Sequence, residues 1–338
     1  MIQNSSSKKI ERNIGLEILR MILCFWVLLF HSISNSKNFV LNFILKKKFH
    51  VPCFFFISFY YFFPIIKNRN TNKMRIRMER LFVPFLIWPL FIWFFNNILY
   101  LIIKGNRFRR MLTFNELFIQ IITGRKFFIQ LWFIFNIIFI SIFFFIISFI
   151  NDNVLIIIIN ILSLLCYLIQ LNEKSYIFYT DFTDCIAHSV GHLIISFPIA
   201  ITAFLSNKFN LIYYFENIKT KLLFFIIFFI ALLLLITGKS DTYSGIDKNL
   251  FSLLIFYFVQ LIPLNKYLNK NSKNIIYFLT SYTNGIYCLH IIIKYYIFKI
   301  FKVKITVLSC ILLYYICYIF SFVGKKLFGK SNLKYLFI

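Results

Sequence analysis

The first hydrophobic stretch of the chain, residues 14–34, reads IGLEILRMILCFWVLLFHSIS, and Glu17, Arg20 and His31 interrupt its apolar run. A helix turns about 100° per residue, so the eleven steps from Arg20 to His31 return the two side chains to one stripe, ~16 Å apart along the axis. Glu17, three residues before Arg20, falls on the same side. Because ionisable groups on a membrane helix usually face protein or a watery cavity, this stripe predicts a functional site.

The composition is typical of an integral membrane protein. The chain has 338 residues, of which 60% are hydrophobic, and its mean hydropathy is +0.80, well above that of a soluble domain. Apolar runs close to the ~20 residues of a bilayer span recur along the whole sequence. The sequence therefore predicts an all-α polytopic helical bundle, with residues 1–338 forming a single transmembrane domain.

About ten transmembrane helices are predicted. Slightly more Lys and Arg fall on the cytoplasmic side if the N-terminus lies there, which favours a cytoplasmic N-terminus in a multi-pass protein of the cytoplasmic membrane. The candidate spans are 14–34, 50–66, 81–103, 127–150, 154–171, 186–206, 221–237, 249–265, 275–293 and 305–323.

The charge balance bears on the partners of the protein. The net charge of +26 favours anionic lipid headgroups or an anionic ligand. Nucleic acid is not expected, because no soluble basic module is present to bind it. Membrane lipids are therefore one predicted partner, and an anionic small molecule is another.

The densest basic stretch runs from Lys67 to Arg80 and is interpreted as a loop. Arg77 and Arg80 are three residues apart, so they are neighbours on one helical face. The predicted third span starts just after them, and a helix N-terminus with its free N–H groups favours anions. Arginine also makes forked contacts with phosphate. The two arginines are either a phosphate site or part of a basic loop that binds lipid headgroups.

Four further polar residues are candidates for substrate contact. Ser58 either hydrogen-bonds within the site or packs against a neighbouring helix. His290 ends the ninth predicted span as His31 ends the first, so the two either meet in one cavity or are polar residues at helix ends. Asp184 and His188 share a helix face with His192 at metal-ligand spacing. No second motif supports a metal, so this face either lines a polar cavity and contacts a substrate or is incidental.

The chain contains the motifs Arg12-x-x-Gly15-Leu16-Glu17, Arg20-x10-His31, Val51-Pro52-x-Phe54-Phe55-x-x-Ser58, Arg77-x-x-Arg80 followed by Leu81 and Pro84, Leu131-Trp132-Phe133, and Tyr287-Cys288-Leu289-His290. Together these motifs resemble the membrane-bound acyltransferases of the acyltransferase-3 type, which O-acylate bacterial surface carbohydrates. The chain departs from the family pattern at Phe59, where the family usually has Gly. Trp132 lies in one of the motifs and is interpreted as an interfacial anchor.

The resemblance implies an O-acyltransferase that moves an acyl group, expected to be acetyl, from acyl-CoA to a hydroxyl of a glycan or lipid-linked sugar. Acyl-CoA is then a co-substrate, and no permanently bound cofactor or metal is implied. Arg77 and Arg80 would bind the donor phosphates, and His31 would be the catalytic base.

Within this interpretation Arg20 neutralises donor charge or holds the pocket open, and Glu17 holds Arg20. The residues alone leave other readings open: His31 as a helix-end histidine among headgroups, and Arg20 as a snorkelling side chain. A polysaccharide or lipid exporter without acyl-transfer chemistry is the alternative function. A relative that binds the donor without turnover is a third.

Overall fold

A computed structural model describes residues 12–33, 49–102, 112–123, 131–150, 152–171, 182–214, 218–237, 246–294 and 306–337. Within these ranges every regular element is helical and no strand occurs. The α-helices are α1 (Ile14–Ser32), α2 (His50–Lys67), α3 (Thr71–Ile102), α4 (Phe114–Thr123), α5 (Leu131–Ile147), α6 (Asp152–Leu171), α7 (Phe182–Lys208), α8 (Leu211–Tyr214), α9 (Ile218–Thr237), α10 (Ile246–Leu261), α11 (Leu264–Tyr267), α12 (Lys270–Thr280), α13 (Thr283–Ile293) and α14 (Val307–Leu327), and a 3-10 helix, Asn332–Leu336, follows them.

The predicted all-α polytopic membrane fold is confirmed, but fewer than the ten predicted spans are found among the described residues. Six of the described helices are long and apolar enough to cross a membrane, and α12 with α13 makes a seventh if the bent pair is one span. Three other apolar helices at predicted spans have only 10–17 qualifying residues: Leu131–Ile147, Ile156–Cys166 and Lys221–Leu233. Helices α6 and α9 nevertheless extend over 20 residues each, so the ten predicted segments agree with the helices more closely than the number of qualifying spans does.

Helix α2 is the central element of the bundle. It packs against α7 and α10, and also against α1 and α5. Phe59, which stands where the resembled family usually has Gly, is 2% exposed. Its ring stacks on Phe55 at 6.2 Å and lies 6.3 Å from the ring of Phe144 in α5. A large aromatic side chain therefore fills the contact between α2 and α5.

The predicted basic loop before the third span is mostly helix. Arg69 turns the chain with a φ of 46°. The Asn70 side chain then accepts a hydrogen bond from the Lys73 amide at 2.9 Å, which caps the first turn of α3. Helix α3 begins at Thr71, well before the predicted start of the third span at residue 81. Lys, Arg, Met and Glu are good helix formers, so the polar lead-in continues the apolar helix.

Helix α1 is held against the two halves of a bent pair, α12 and α13, whose axes differ by 42°. The Asn13 side chain caps α1 by accepting from the Leu16 amide at 3.2 Å. Gly15 lets α10 approach closely, since a Cβ there would lie 2.5 Å from the Val259 carbonyl oxygen. The stripe of ionisable residues on α1 faces α13, since Arg20 bonds to Thr283 and the His31 ring lies near that of His290.

Candidate active site

The structure brings His31 and His290 together where α1 and α13 end. The centroids of the two imidazole rings are 5.5 Å apart. His290 is 1% exposed, and its Nδ1 lies 3.3 Å from the Ile286 carbonyl oxygen. A carbonyl only accepts, so Nδ1 carries the proton and Nε2 is left as an acceptor. This Nε2 is buried without a hydrogen-bond partner among the described residues, so it can accept from a substrate hydroxyl.

Two further basic residues lie around this histidine pair. Lys294 donates from Nζ to the His31 carbonyl oxygen. The Phe30 ring lies 5.2 Å from the His31 ring and 5.3 Å from the His50 ring, so the start of α2 reaches the same end of the bundle. In the described ranges no group of three or more His, Cys, Asp or Glu is arranged to hold a metal ion.

Arg20 is fixed between α1 and α13. Its Nη1 lies 3.3 Å from Glu17 Oε2, and its Nη2 donates to Thr283 Oγ1 at 2.9 Å. The Thr283 hydroxyl donates in turn to the Thr280 carbonyl at 2.9 Å. Glu17 is 1% exposed and the Arg20 side chain 23% exposed. The guanidinium therefore points into the protein and does not snorkel, and Thr283 at the start of α13 shares in holding it.

Arg77 makes a second polar cluster, together with Ser58 and Ser141. Its Nη2 donates to Ser58 Oγ at 3.0 Å and its Nε to Ser141 Oγ at 3.3 Å. The guanidinium carbon lies 4.5 Å from the centroid of the Phe62 ring. Neither serine carries charge, and Arg77 has no carboxylate partner in the part of the chain that the structure describes. The cluster thus holds a largely enclosed positive charge that an anionic group would compensate.

Arg80 lies one turn beyond Arg77, and its guanidinium carbon is 5.8 Å from the centroid of the Tyr335 ring. The prediction that both arginines lie near a helix N-terminus is wrong, because α3 begins at Thr71. Arg77 and Arg80 lie ~9 Å and ~13 Å along the helix axis from the start of α3. The effect of a helix dipole on an anion fades within the first turn. Any attraction of an anion here comes from the guanidinium groups.

Not every predicted site residue is placed by the structure. Asp184 and His188 belong to α7, but their side chains lie outside the described residues, so their predicted acceptor contact stays a prediction. The prediction that Trp132 is an interfacial anchor is wrong. Trp132 is 7% exposed, and its ring stacks on that of His192 with centroids 3.9 Å apart. It packs between α5 and α7 inside the bundle.

Sequence reasoning missed several residues of these clusters. Lys294 follows His290 by four residues, so helical spacing was a usable signal for it. Thr283 and Ser141 carry no such signal, since isolated hydroxyl residues are common in membrane helices. Tyr335 lies beyond every predicted span, and nothing in the local sequence connects it with Arg80.

Comparison with known proteins supports the resemblance. The family model described as "Acyltransferase domain", of the acyltransferase-3 type, matches residues 13–325. This range includes His31, His290, Arg20, Arg77 and Arg80. No curated protein and no solved structure matches the chain.

Proposed function

The chain belongs to the acyltransferase-3 family, and from this premise we propose that it moves an acyl group, acetyl in the first instance, from acyl-CoA to a hydroxyl of a cell-surface glycan or glycolipid precursor. That it is a multi-pass membrane acyltransferase follows from the family match and the apolar helices. The donor, the acyl group and the acceptor are the proposal. The location in the cytoplasmic membrane and the cytoplasmic N-terminus are also part of the proposal.

The observation that carries the proposal is that one helix links the histidine pair to the arginine cluster. His50 starts α2 beside Phe30 and His31, and Ser58, eight residues later, accepts from Arg77. Eight residues of α-helix span ~12 Å. A thioester donor is a long molecule with phosphates at one end and the reactive carbonyl at the other, so two separated sites suit it.

The arginine end suits the donor phosphates. Arg77 is positioned by two serine hydroxyls and an aromatic ring, and Arg80 lies one turn away without a carboxylate partner among the described residues. Such pre-positioned guanidinium groups bind phosphate without a large cost in side-chain ordering. With the N-terminus in the cytoplasm, the start of α3 faces the side where acyl-CoA is present.

The histidine end suits the chemistry. A ring nitrogen of His31 takes the proton from the acceptor hydroxyl while the hydroxyl oxygen attacks the thioester carbonyl. The C–S bond then breaks, and the proton passes from His31 to the departing CoA sulfur. His290 Nε2, left as an acceptor, holds the hydroxyl or supports the protonated His31 ring. We favour direct transfer, and an acyl-histidine intermediate is the alternative route.

Arg20 and Glu17 support the histidine pair from the opposite end of the contact between α1 and α13. The Glu17–Arg20 pair bonded to Thr283 fixes α13 against α1 at the turn where α13 begins. His290 lies two turns further along α13. The pair therefore sets the position of His290 relative to His31 and acts as a positioning group.

The test uses the purified protein in phosphatidylcholine nanodiscs with acetyl-CoA labelled in the acetyl group. Transfer of label to a glycolipid extract is measured for wild type and for His31→Gln, with CoA binding measured in parallel. The proposal expects wild type to label the extract, and His31→Gln to lose transfer while it keeps CoA binding. Transfer by His31→Gln at the wild-type rate would overturn the assigned base. Wild type that moves a glycolipid across a bilayer but never labels it would support the exporter.

A further inference from the structure

The 3-10 helix Asn332–Leu336 folds back onto the bundle and packs against α3, α13 and α14. Tyr335 is 7% exposed and Leu336 8% exposed. This segment lies beyond residue 325, where the match to the family model ends. It nevertheless contacts Arg80, a residue of the proposed donor site, so residues outside the family match border that site.

Two glycines make room for Phe337, which anchors the segment. A Cβ on Gly324 would lie 2.4 Å from the Phe337 ring, and a Cβ on Gly285 would lie 2.6 Å from the Phe337 carbonyl oxygen. The Phe337 ring also stacks on Phe328 at 5.8 Å and lies 6.2 Å from the Trp88 ring. Helices α14 and α3 thus contact the Phe337 ring and α13 contacts its backbone carbonyl, which fixes the preceding residues in place.

The anchored segment sets a third positive charge near the arginines of α3. The Tyr335 ring centroid lies 5.8 Å from the Arg80 guanidinium carbon and 5.2 Å from Lys334 Nζ. In the ranges that the structure describes, neither Arg80 nor Lys334 forms an ion pair with a carboxylate. Like charges held around one aromatic ring repel each other, and a bound polyanion removes that repulsion.

We propose that residues 331–337 form the second wall of a phosphate-binding site, in which Lys334 and Tyr335 join Arg80 against the phosphate groups of a bound molecule. This inference rests on the proposed function where the phosphates are those of the acyl donor. Anionic phospholipid headgroups offer the same chemistry at the membrane surface, so the test separates the two sources.

One arm of the test measures CoA binding by calorimetry in nanodiscs of phosphatidylcholine alone. Lys334→Ala is expected to weaken CoA binding about tenfold or more, since it removes a charge-assisted contact. Gly324→Ala changes no charge but displaces Phe337, so it is expected to weaken CoA binding as well. Phe337→Ala removes the anchor without adding an atom, and serves if Gly324→Ala does not fold. Lys330→Ala, an exposed neighbour, is the matched control and is expected to change binding less than twofold.

The second arm omits CoA and uses nanodiscs that contain phosphatidylglycerol. Native mass spectrometry counts the phosphatidylglycerol molecules retained by wild type, Lys334→Ala and Lys330→Ala. Loss of retained lipid in Lys334→Ala alone assigns the phosphate to the membrane, and this holds even if wild type does not bind CoA. If Lys334→Ala matches wild type in both arms, and Gly324→Ala and Phe337→Ala match wild type in CoA binding, the inference is overturned. CoA binding that depends on Arg77 but not on Lys334 would leave the proposed function intact.

Discussion

The imidazole rings of His31 and His290 lie with their centroids 5.5 Å apart, although they belong to the first and the thirteenth helices of the described chain. The bond from His290 Nδ1 to the Ile286 carbonyl leaves Nε2 as the acceptor at this pair. The pair therefore places the unpartnered Nε2 of His290 close to the His31 ring, which is the base in the proposed mechanism.

The first prediction concerns this pair. His31→Gln is expected to lower kcat by about 10²–10⁴-fold, the usual range for a lost general base, and to leave CoA binding within twofold of wild type. His290→Ala is expected to lower kcat less than His31→Gln does, because it keeps the base and loses a group that orients it. Single-turnover transfer of labelled acetyl measures kcat, and calorimetry measures CoA binding. A His290→Ala defect larger than that of His31→Gln would reverse the two roles.

The second prediction concerns the buried ion pair of α1. Glu17→Ala leaves the Arg20 charge with only the Thr283 hydroxyl, and breaking a buried pair costs ~3–5 kcal/mol. The Arg20 side chain is 23% exposed, so we expect about 2–3 kcal/mol. The double change Glu17→Ala with Arg20→Met is expected to be less destabilised than Glu17→Ala alone. Thermal unfolding in detergent measures this difference, and equal stability of the single and double variants would contradict the buried pair.

The third prediction concerns the proposed donor site. Arg77→Ala is expected to raise KM for acetyl-CoA by about 10–100-fold, since a charge-assisted contact is worth ~1.5–3 kcal/mol. Arg75→Ala is the matched control, because Arg75 is 75% exposed and paired with Glu79 at 3.5 Å. Ser141→Ala is expected to have a smaller effect than Arg77→Ala, since it removes only one of the bonds that position the guanidinium. An equal rise of KM in Arg77→Ala and Arg75→Ala would show that the effect comes from the net charge and not from a specific contact of Arg77.

The fourth prediction concerns the approach of α1 to α10. A Cβ added at Gly15 would lie 2.5 Å from the Val259 carbonyl oxygen and 2.7 Å from its Cγ1. Gly15→Ala is therefore expected to destabilise the fold by about 1–3 kcal/mol through overpacking. Ile22→Ala, on the exposed face of the same helix, is expected to change the unfolding temperature much less. Unchanged unfolding of Gly15→Ala would show that the two helices separate without cost.

Much of the fold was predictable because apolar length and helical spacing are local properties. Each of the ten predicted spans overlaps a described helix, with 275–293 overlapping the bent pair of α12 and α13, and the Glu17–Arg20 contact follows from their spacing of three. The start of α3 was not predictable from hydropathy, because its first turns are polar and depend on a cap at Asn70. The hydropathy pattern marks only the apolar part of α3, whereas the helix itself continues into the polar residues before that part.

The site was predictable in parts but not as an assembly. Helical spacing placed Arg20 and His31 on one stripe, but it did not show that Thr283 and His290 cover that stripe. Trp132 was misassigned for the same reason, since its burial depends on the contact of α5 with α7 and on His192. Contacts between distant helices depend on tertiary packing, which a single sequence does not display.

The separation of the groups that hold Arg20 has a consequence for how the protein is made. Glu17 lies in the same helix, so the charge of Arg20 is compensated as soon as α1 enters the bilayer. Thr283 is 263 residues further along the chain, and His290 comes later still. Helix α1 must therefore reside in the membrane with its functional face uncovered until nearly all of the other helices have been synthesised. Insertion and catalytic competence are thus separate events in the biogenesis of this enzyme.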